Sequence, residues 1–275
     1  MSAAARTTPD APKTRDEGGL PTLTIAGSRA TLHLNRPQVM NRVQPEDIAE
    51  IMRILAEVEA DPAVRVLVIA STGKAFSAGA HLGNMAEQAA SGGISDAPGN
   101  SFEDFVNRLE MLMIPTIARL HGGVYGGSTD MALACDFRVG VAPATVMFMP
   151  AARIGVHYYE SGLRRYVSRL GLNNAKRLFM LAEEQSAEEL LRIGYLTDLV
   201  TPEALDTRID AIAGRLGELA PLAVQGAKRA INEIGHQALD VPALEARMLA
   251  AKNSQDIKEG LAAFKAKRKP VFTGC

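Results

Sequence analysis

The sequence contains no tryptophan, only two cysteines and no apolar run of membrane-spanning length. Each shortage removes a class of protein. A membrane-spanning helix needs about 20 consecutive apolar residues, and no stretch approaches that. The two cysteines make neither a disulfide framework nor a metal-binding spacing. Cys135 sits in an apolar helical pattern, as buried thiols do, and Cys275 is the final residue. This usage fits a reducing, cytoplasmic setting. An excess of either charge is also missing: 30 Lys and Arg face 31 Asp and Glu, for a net charge of -1. Nucleic-acid binders carry a basic footprint, and membrane-surface helices carry a basic amphipathic block. Neither partner is expected. Residues 1–19 lack an apolar segment and are rich in Ala, Thr, Pro, Asp and Lys. They read as a disordered tail rather than a secretory signal.

What is present is an alternation of strand and helix patterns. Thr22-Leu23-Thr24-Ile25 and Ala30-Thr31-Leu32-His33-Leu34 alternate as strands do, with Gly27-Ser28 as a turn between them. From Pro45 to Ala60 the apolar residues Ile48, Ile51, Leu55 and Val58 fall at helical spacing, and Asp61-Pro62 ends the run. Residues 64–70 and 115–120 are nearly continuous apolar runs, as expected of strands covered on both faces. Residues 137–141 and 145–148 read as short strands, and residues 102–112 as a helix. Beyond Gly162 the pattern is mostly helical to Lys265. Strands alternating with helices, followed by a helical third, predict an α/β core with a helical appendage. The expected organisation is a tail at 1–19, a core at 20–200 and a helical region at 201–275.

The stretch Gly122-Gly123-Val124-Tyr125-Gly126-Gly127-Ser128-Thr129-Asp130-Met131 carries the clearest chemical signal. Glycines let backbone approach a ligand closely and adopt positive φ. The helix start that follows presents unpaired N–H groups and a partial positive charge. Such a loop can hold a developing oxyanion, with Asp130 beside it as a base.

Several local patterns together resemble the enoyl-CoA hydratase/isomerase (crotonase) superfamily. They are Leu34-Asn35-Arg36-Pro37; Gly73-Lys74-Ala75-Phe76-Ser77-Ala78-Gly79-Ala80-His81-Leu82; the glycine loop with Met131-Ala132-Leu133-Ala134-Cys135-Asp136; Ser186-Ala187-Glu188-Glu189-Leu190 with Ile193-Gly194-Tyr195-Leu196; and the tail motifs Lys258-Glu259-Gly260 and Lys269-Pro270-Val271-Phe272. The likeness runs from about Leu20 to the end. It implies a ClpP-like spiral of ββα units, a helical C-terminal trimerisation region, and homotrimers or homohexamers. It implies acyl-CoA thioester substrates in fatty-acid or related metabolism, with coenzyme A as part of the substrate and no further cofactor or metal. The shared chemistry of the family is stabilisation of a thioester enolate by two backbone N–H groups. Those positions match Ala80 and Gly127, with Ala78, His81, Leu82, Gly126 and Tyr158 as substrate-binding positions. His81 stands where the family usually has aspartate.

The acids depart from the family pattern. Hydratases of this family use two glutamates. The first falls at Asp130, one methylene shorter. The second falls at Ala151, which can neither hold water nor donate a proton. A two-glutamate hydration is therefore not supported. Glu160 lies one position past a turn where some members carry aspartate, and it is the second acid candidate. Its other reading is a solvated loop residue paired with Arg164 or Arg165. Gly155-Val156-His157-Tyr158 also resembles the methylmalonyl-CoA decarboxylase branch, where the matching tyrosine faces substrate. The open readings are double-bond isomerisation, hydration helped by Glu160, decarboxylation of a malonyl-type ester, and a catalytically weak acyl-CoA-binding homologue. His33 and His121 read as structural. Met111, Met113, Met147, Met149 and Met180 read as core or acyl-pocket residues. The basic run at 265–269 reads as a solvated face or, by the resemblance, as a contact for coenzyme A phosphates.

Overall fold

The computed structural model describes residues 18–80 and 101–275. Strands β1 (Thr22–Ala26) and β2 (Arg29–Leu34) form an antiparallel hairpin turned at Gly27, whose φ of 61° suits glycine. Helix α1 (Pro45–Ala60) follows. Its start is fixed by Pro45 in the first turn and by reciprocal bonds between Gln44 and Asp47. Its apolar stripe of Ile48, Ile51, Leu55 and Val58 is buried.

The chain then alternates between two sheets. Strand β3 (Val66–Ser71) enters the large sheet and β4 (Ala75–Ser77) the small one. Helix α2 (Phe102–Met111) leads to β5 (Thr116–Leu120) in the large sheet, then β6 (Gly123–Tyr125) in the small one and helix α3 (Ser128–Ala134). The next turn gives β7 (Phe137–Val141), β8 (Met147–Phe148) and helix α4 (Glu160–Lys176). Helix α5 (Ala187–Arg192) and β9 (Asp198–Val200) complete the core. The large sheet has the order β1-β2-β3-β5-β7-β9, parallel from β2 onward; the small sheet has the parallel order β4-β6-β8. This is the winding of ββα units expected of the fold.

Both faces of the large sheet are covered, which explains its unbroken apolar strands. Leu67 and Ile69 of β3 face the cluster built with α1 and α2. Val66 and Val68, with Ile117 and Val139, face Leu205, Ile209 and Ile212 of helix α6 (Leu205–Gly217). The chain ends in helices α7 (Pro221–Gly235), α8 (Val241–Asn253) and α9 (Gln255–Ala266). Helix α8 buries no residue, and Phe264 of α9 is 86% exposed. Among the described residues, no helix is long and apolar enough to cross a membrane.

Three strands escape the sequence reading. β4, β6 and β9 have three residues each, too few for a two-residue period to stand out. Residues 123–125 read as loop because Gly123 is a poor strand former, yet β6 pairs on both sides. β9 interrupts the helical stretch beyond Gly162, and α4 begins two residues earlier than read, at Glu160.

Candidate active site

The glycine loop lies where β6 leaves the small sheet, and the 78–80 segment lies where neighbouring β4 leaves it. The two segments are pinned together by side chains. Ser128 Oγ accepts from the Tyr125 N–H at 2.9 Å and shares its own proton between Ser77 O at 2.7 Å and Tyr125 O at 2.8 Å. Ser77 Oγ donates to Asn41 O at 2.7 Å and accepts from the Gly79 N–H at 3.0 Å. The Ala78 N–H donates to Met40 O at 2.8 Å, and the Gly126 N–H to Phe148 O at 2.9 Å. Gly79 must be glycine. Its φ is 78°, and a β-carbon there would lie 2.5 Å from the Gly127 nitrogen. That contact would force the two segments apart.

With neighbouring amides spent in this way, those of Ala80 and Gly127 have no hydrogen-bond acceptor among the described residues. They lie close to one another: a β-carbon on Gly127 would sit 3.4 Å from the Ala80 nitrogen and 2.9 Å from the ring of Phe102. Two unspent N–H groups against an aromatic wall can together receive one oxygen atom.

Asp130 lies in the first turn of α3 and is fully buried. Its Oδ2 accepts from Arg165 Nη1 at 2.6 Å and from the Tyr159 hydroxyl at 2.5 Å. Its Oδ1 is buried and has no partner among the described residues. Arg165 is also fully buried and reaches Asn107 Oδ1 at 2.8 Å and Glu110 Oε2 at 3.0 Å. Glu110 in turn meets Arg169 at 3.0 Å and His236 at 3.3 Å. Two carboxylates and two guanidinium groups thus form a charge-balanced interior network. Burial raises the Asp130 carboxyl above its ordinary value, and Arg165 and Tyr159 pull against that rise. For Glu110 burial also opposes ionisation, but His236, Arg165 and Arg169 outweigh it and hold the group down at about 2.

Tyr158 stacks on Tyr159 with ring centroids 4.3 Å apart and donates its hydroxyl to Tyr159 at 3.2 Å. Burial, followed by the nearby Asp130 charge, pushes both phenols well above their ordinary value. Gly162 makes room for the pair: a β-carbon there would lie 2.4 Å from the Tyr158 ring.

The structure therefore brings Ala80, Gly126, Gly127 and Asp130 together, with Ala78 one residue from the close approach. Tyr158 stands two hydroxyls from Asp130. Glu160 is not part of this group. It opens α4 with its side chain 80% exposed and binds Arg164 one turn on. Ala151 is buried after β8. His157 is exposed, with Nδ1 beside Tyr158 O at 2.8 Å. His81 and Leu82 lie outside the described residues. Tyr159 and Arg165 were not singled out as contacts of Asp130 from sequence, because those contacts span 29 and 35 residues. A cavity of about 580 Å³ touches the network from Glu110, Arg169 and His236, and includes neither Ala80 nor Gly127 in its lining.

The family model for enoyl-CoA hydratase/isomerase matches residues 24–275. The chain belongs to the enoyl-CoA hydratase/isomerase family. Among its relatives in this family, a crotonyl-CoA hydratase from Syntrophomonas wolfei is 33% identical over 88% of this chain and 94% of its own. A short-chain-enoyl-CoA hydratase from Clostridium acetobutylicum is 30% identical over 88% of this chain and 93% of its own. The solved structure of an enoyl-CoA hydratase from Bacillus anthracis superimposes with a TM-score of 0.82 at 25% identity, covering 94% of this chain and all of the other. The chain is thus an enzyme of the hydratase/isomerase family, with the crotonase fold.

Proposed function

We propose that the protein acts on an acyl-CoA thioester by forming an enolate, with the Ala80 and Gly127 N–H groups as the oxyanion hole and Asp130 as the acceptor of the substrate proton. The observation that carries this is the pair of unspent, adjacent amides one helical turn from a buried carboxylate. An enolate oxygen gains charge only as the reaction proceeds, so fixed donors favour the transition state over the bound substrate. One such donor is worth about 2.7–4 kcal/mol. Thioester substrates are further supported by the coenzyme A esters named for the relatives.

Neither position expected to supply a second acid does so beside Asp130 among the described residues. Ala151 offers a methyl group, and Glu160 is engaged at the surface. A single carboxylate suits a double-bond shift: one proton leaves the α-carbon, the electron pair passes through the dienolate, and the proton returns at the γ-carbon. Hydration needs a second group to activate water. The proposed reaction is therefore isomerisation of an enoyl-CoA. A second reading, decarboxylation of a malonyl-type ester, is favoured by the tyrosine pair, whose hydroxyls remain protonated and lie near Asp130. The exposed apolar residues Ile231, Met248, Leu261 and Phe264 on the last three helices support assembly into trimers or hexamers.

The test is incubation of purified protein with β,γ-enoyl, α,β-enoyl and malonyl-type CoA esters, read by mass spectrometry and NMR. The expected product is the shifted enoyl ester with no gain in mass. A gain of water points to hydration, and loss of CO₂ alone to the decarboxylase. Binding of all esters with turnover of none would leave an acyl-CoA-binding homologue.

A further inference from the structure

The carboxylate that must take the proton has no exposed surface. Asp130 is 0% exposed, its Oδ1 included, and its Oδ2 already carries two hydrogen bonds. Tyr158 and Tyr159 are both half-buried, so part of each remains accessible. The polarity of the contacts between these three residues is fixed by elementary bonding. An ionised carboxylate only accepts, so Tyr159 donates to Oδ2. Having spent its one proton, Tyr159 accepts from Tyr158. Tyr158 is then left with oxygen lone pairs and no proton to give elsewhere.

We propose that Tyr158, Tyr159 and Asp130 form a directional proton relay, in which the Tyr158 oxygen meets the substrate and Asp130 is the terminal acceptor. This inference rests on the enolate reading above. In the forward step the substrate Cα–H bond breaks and its proton goes to the Tyr158 oxygen. The Tyr158 proton passes to the Tyr159 oxygen, and the Tyr159 proton passes to Asp130 Oδ2. The C–H electron pair becomes the enolate π bond, and the former carbonyl π pair becomes the charge on the thioester oxygen, which faces Ala80 and Gly127. Running the relay backwards returns one proton to carbon and restores every group. No oxidant, reductant or water is consumed.

Three features suit this arrangement. Burial keeps both phenols neutral, so the relay starts with its protons in place. Burial also raises Asp130, which brings its basicity closer to neutral pH, where proton transfer is efficient. Arg165 donates to the same Oδ2 and keeps the charge balance of the interior whole. By this assignment Tyr158, Tyr159 and Asp130 each exchange a proton and are catalytic residues, and Arg165 is a positioning residue.

The experiment follows loss of label from α-deuterated butanoyl-CoA with the full-length protein. Tyr158→Phe and Tyr159→Phe each keep the stacked rings and delete one hydroxyl. Each is expected to slow washout by about 10²-fold. The double variant is expected to be no slower than the slower single, because both changes interrupt one path. A proton inventory of the wild type in H₂O/D₂O mixtures is expected to be curved, since several protons move in one step; this readout stands even where a variant fails to fold. Washout within threefold of wild type in either single variant, with Asp130→Asn inactive, overturns the relay and leaves Asp130 acting directly. A linear inventory overturns it likewise. Absence of washout from butanoyl-CoA and from every ester in the panel above, with the wild type, removes the enolate reading and the relay together.

Discussion

Arg164 and Arg165 are consecutive residues of α4, and each binds a carboxylate. Arg164 meets Glu160 one helical turn away, and both side chains are exposed, 45% and 80% respectively. Arg165 meets Asp130 and Glu110 with no exposed surface on its side chain. The two pairs share their chemistry and differ in solvent. In water the Coulomb attraction is screened and roughly offsets the cost of ordering two long side chains. In the interior the desolvation cost is already paid by folding, and removing one partner leaves a bare charge. A pair of acidic candidates thirty residues apart in sequence is thereby separated into a screened surface contact and a desolvated interior one.

The largest effect is expected from Arg165→Met. It strands Asp130 and Glu110 without their shared cation and should cost about 3–5 kcal/mol, a fall of roughly 10 °C in Tm by calorimetry. A variant as stable as wild type would show that the buried network does not hold the fold. Glu110 gives the pH signature of the same region. Its folded value of about 2 lies below its ordinary 4.5. Its contribution, on the order of 3 kcal/mol, is therefore complete above pH 4.5 and is lost as pH falls from 4.5 towards 2. Denaturant melts across that window should show this slope in wild type and a flatter one in Glu110→Gln. Equal slopes would contradict the charge assignment. Asp130→Asn keeps the shape of the site and should lower turnover by about 10²-fold; unchanged steady-state rates would take Asp130 out of the chemistry. Glu160→Ala should do least. Turnover should stay within about twofold and Tm within about 2 °C, whereas a large rate loss would restore Glu160 as a second acid.

Much of this molecule was legible in its sequence. Helix α1 has the bounds that its stripe and its flanking Pro45 and Asp61-Pro62 indicated, and β7 spans the five residues read as a strand. Ala80 and Gly127 are singled out by local motifs, but the closeness of their amides depends on a contact spanning 51 residues, Ser128 to Ser77. Asp130 was singled out as a candidate because a carboxylate in a first helical turn is a local feature. Its surroundings were not. Neither the burial of Arg165 nor the turn of Tyr159 towards Asp130 leaves a periodic signal, since both depend on α4 packing against α3. Glu160 stands second to Asp130 as an acid candidate in one dimension, and burial separates them: Asp130 is 0% exposed and the Glu160 side chain 80%.

The small sheet has one further consequence. Its three strands end side by side: β4 runs into Ala80, β6 into Gly127 and β8 into the turn that carries Ala151. Adjacent strands keep a spacing of about 4.8 Å whatever their side chains. The sheet therefore acts as a ruler with three marks. Two marks are main-chain amides and survive almost any substitution. The third is a side chain, open to replacement at little cost to the frame. Here it reads methyl: the frame that sets the two amides side by side is kept, and the third mark carries no acid.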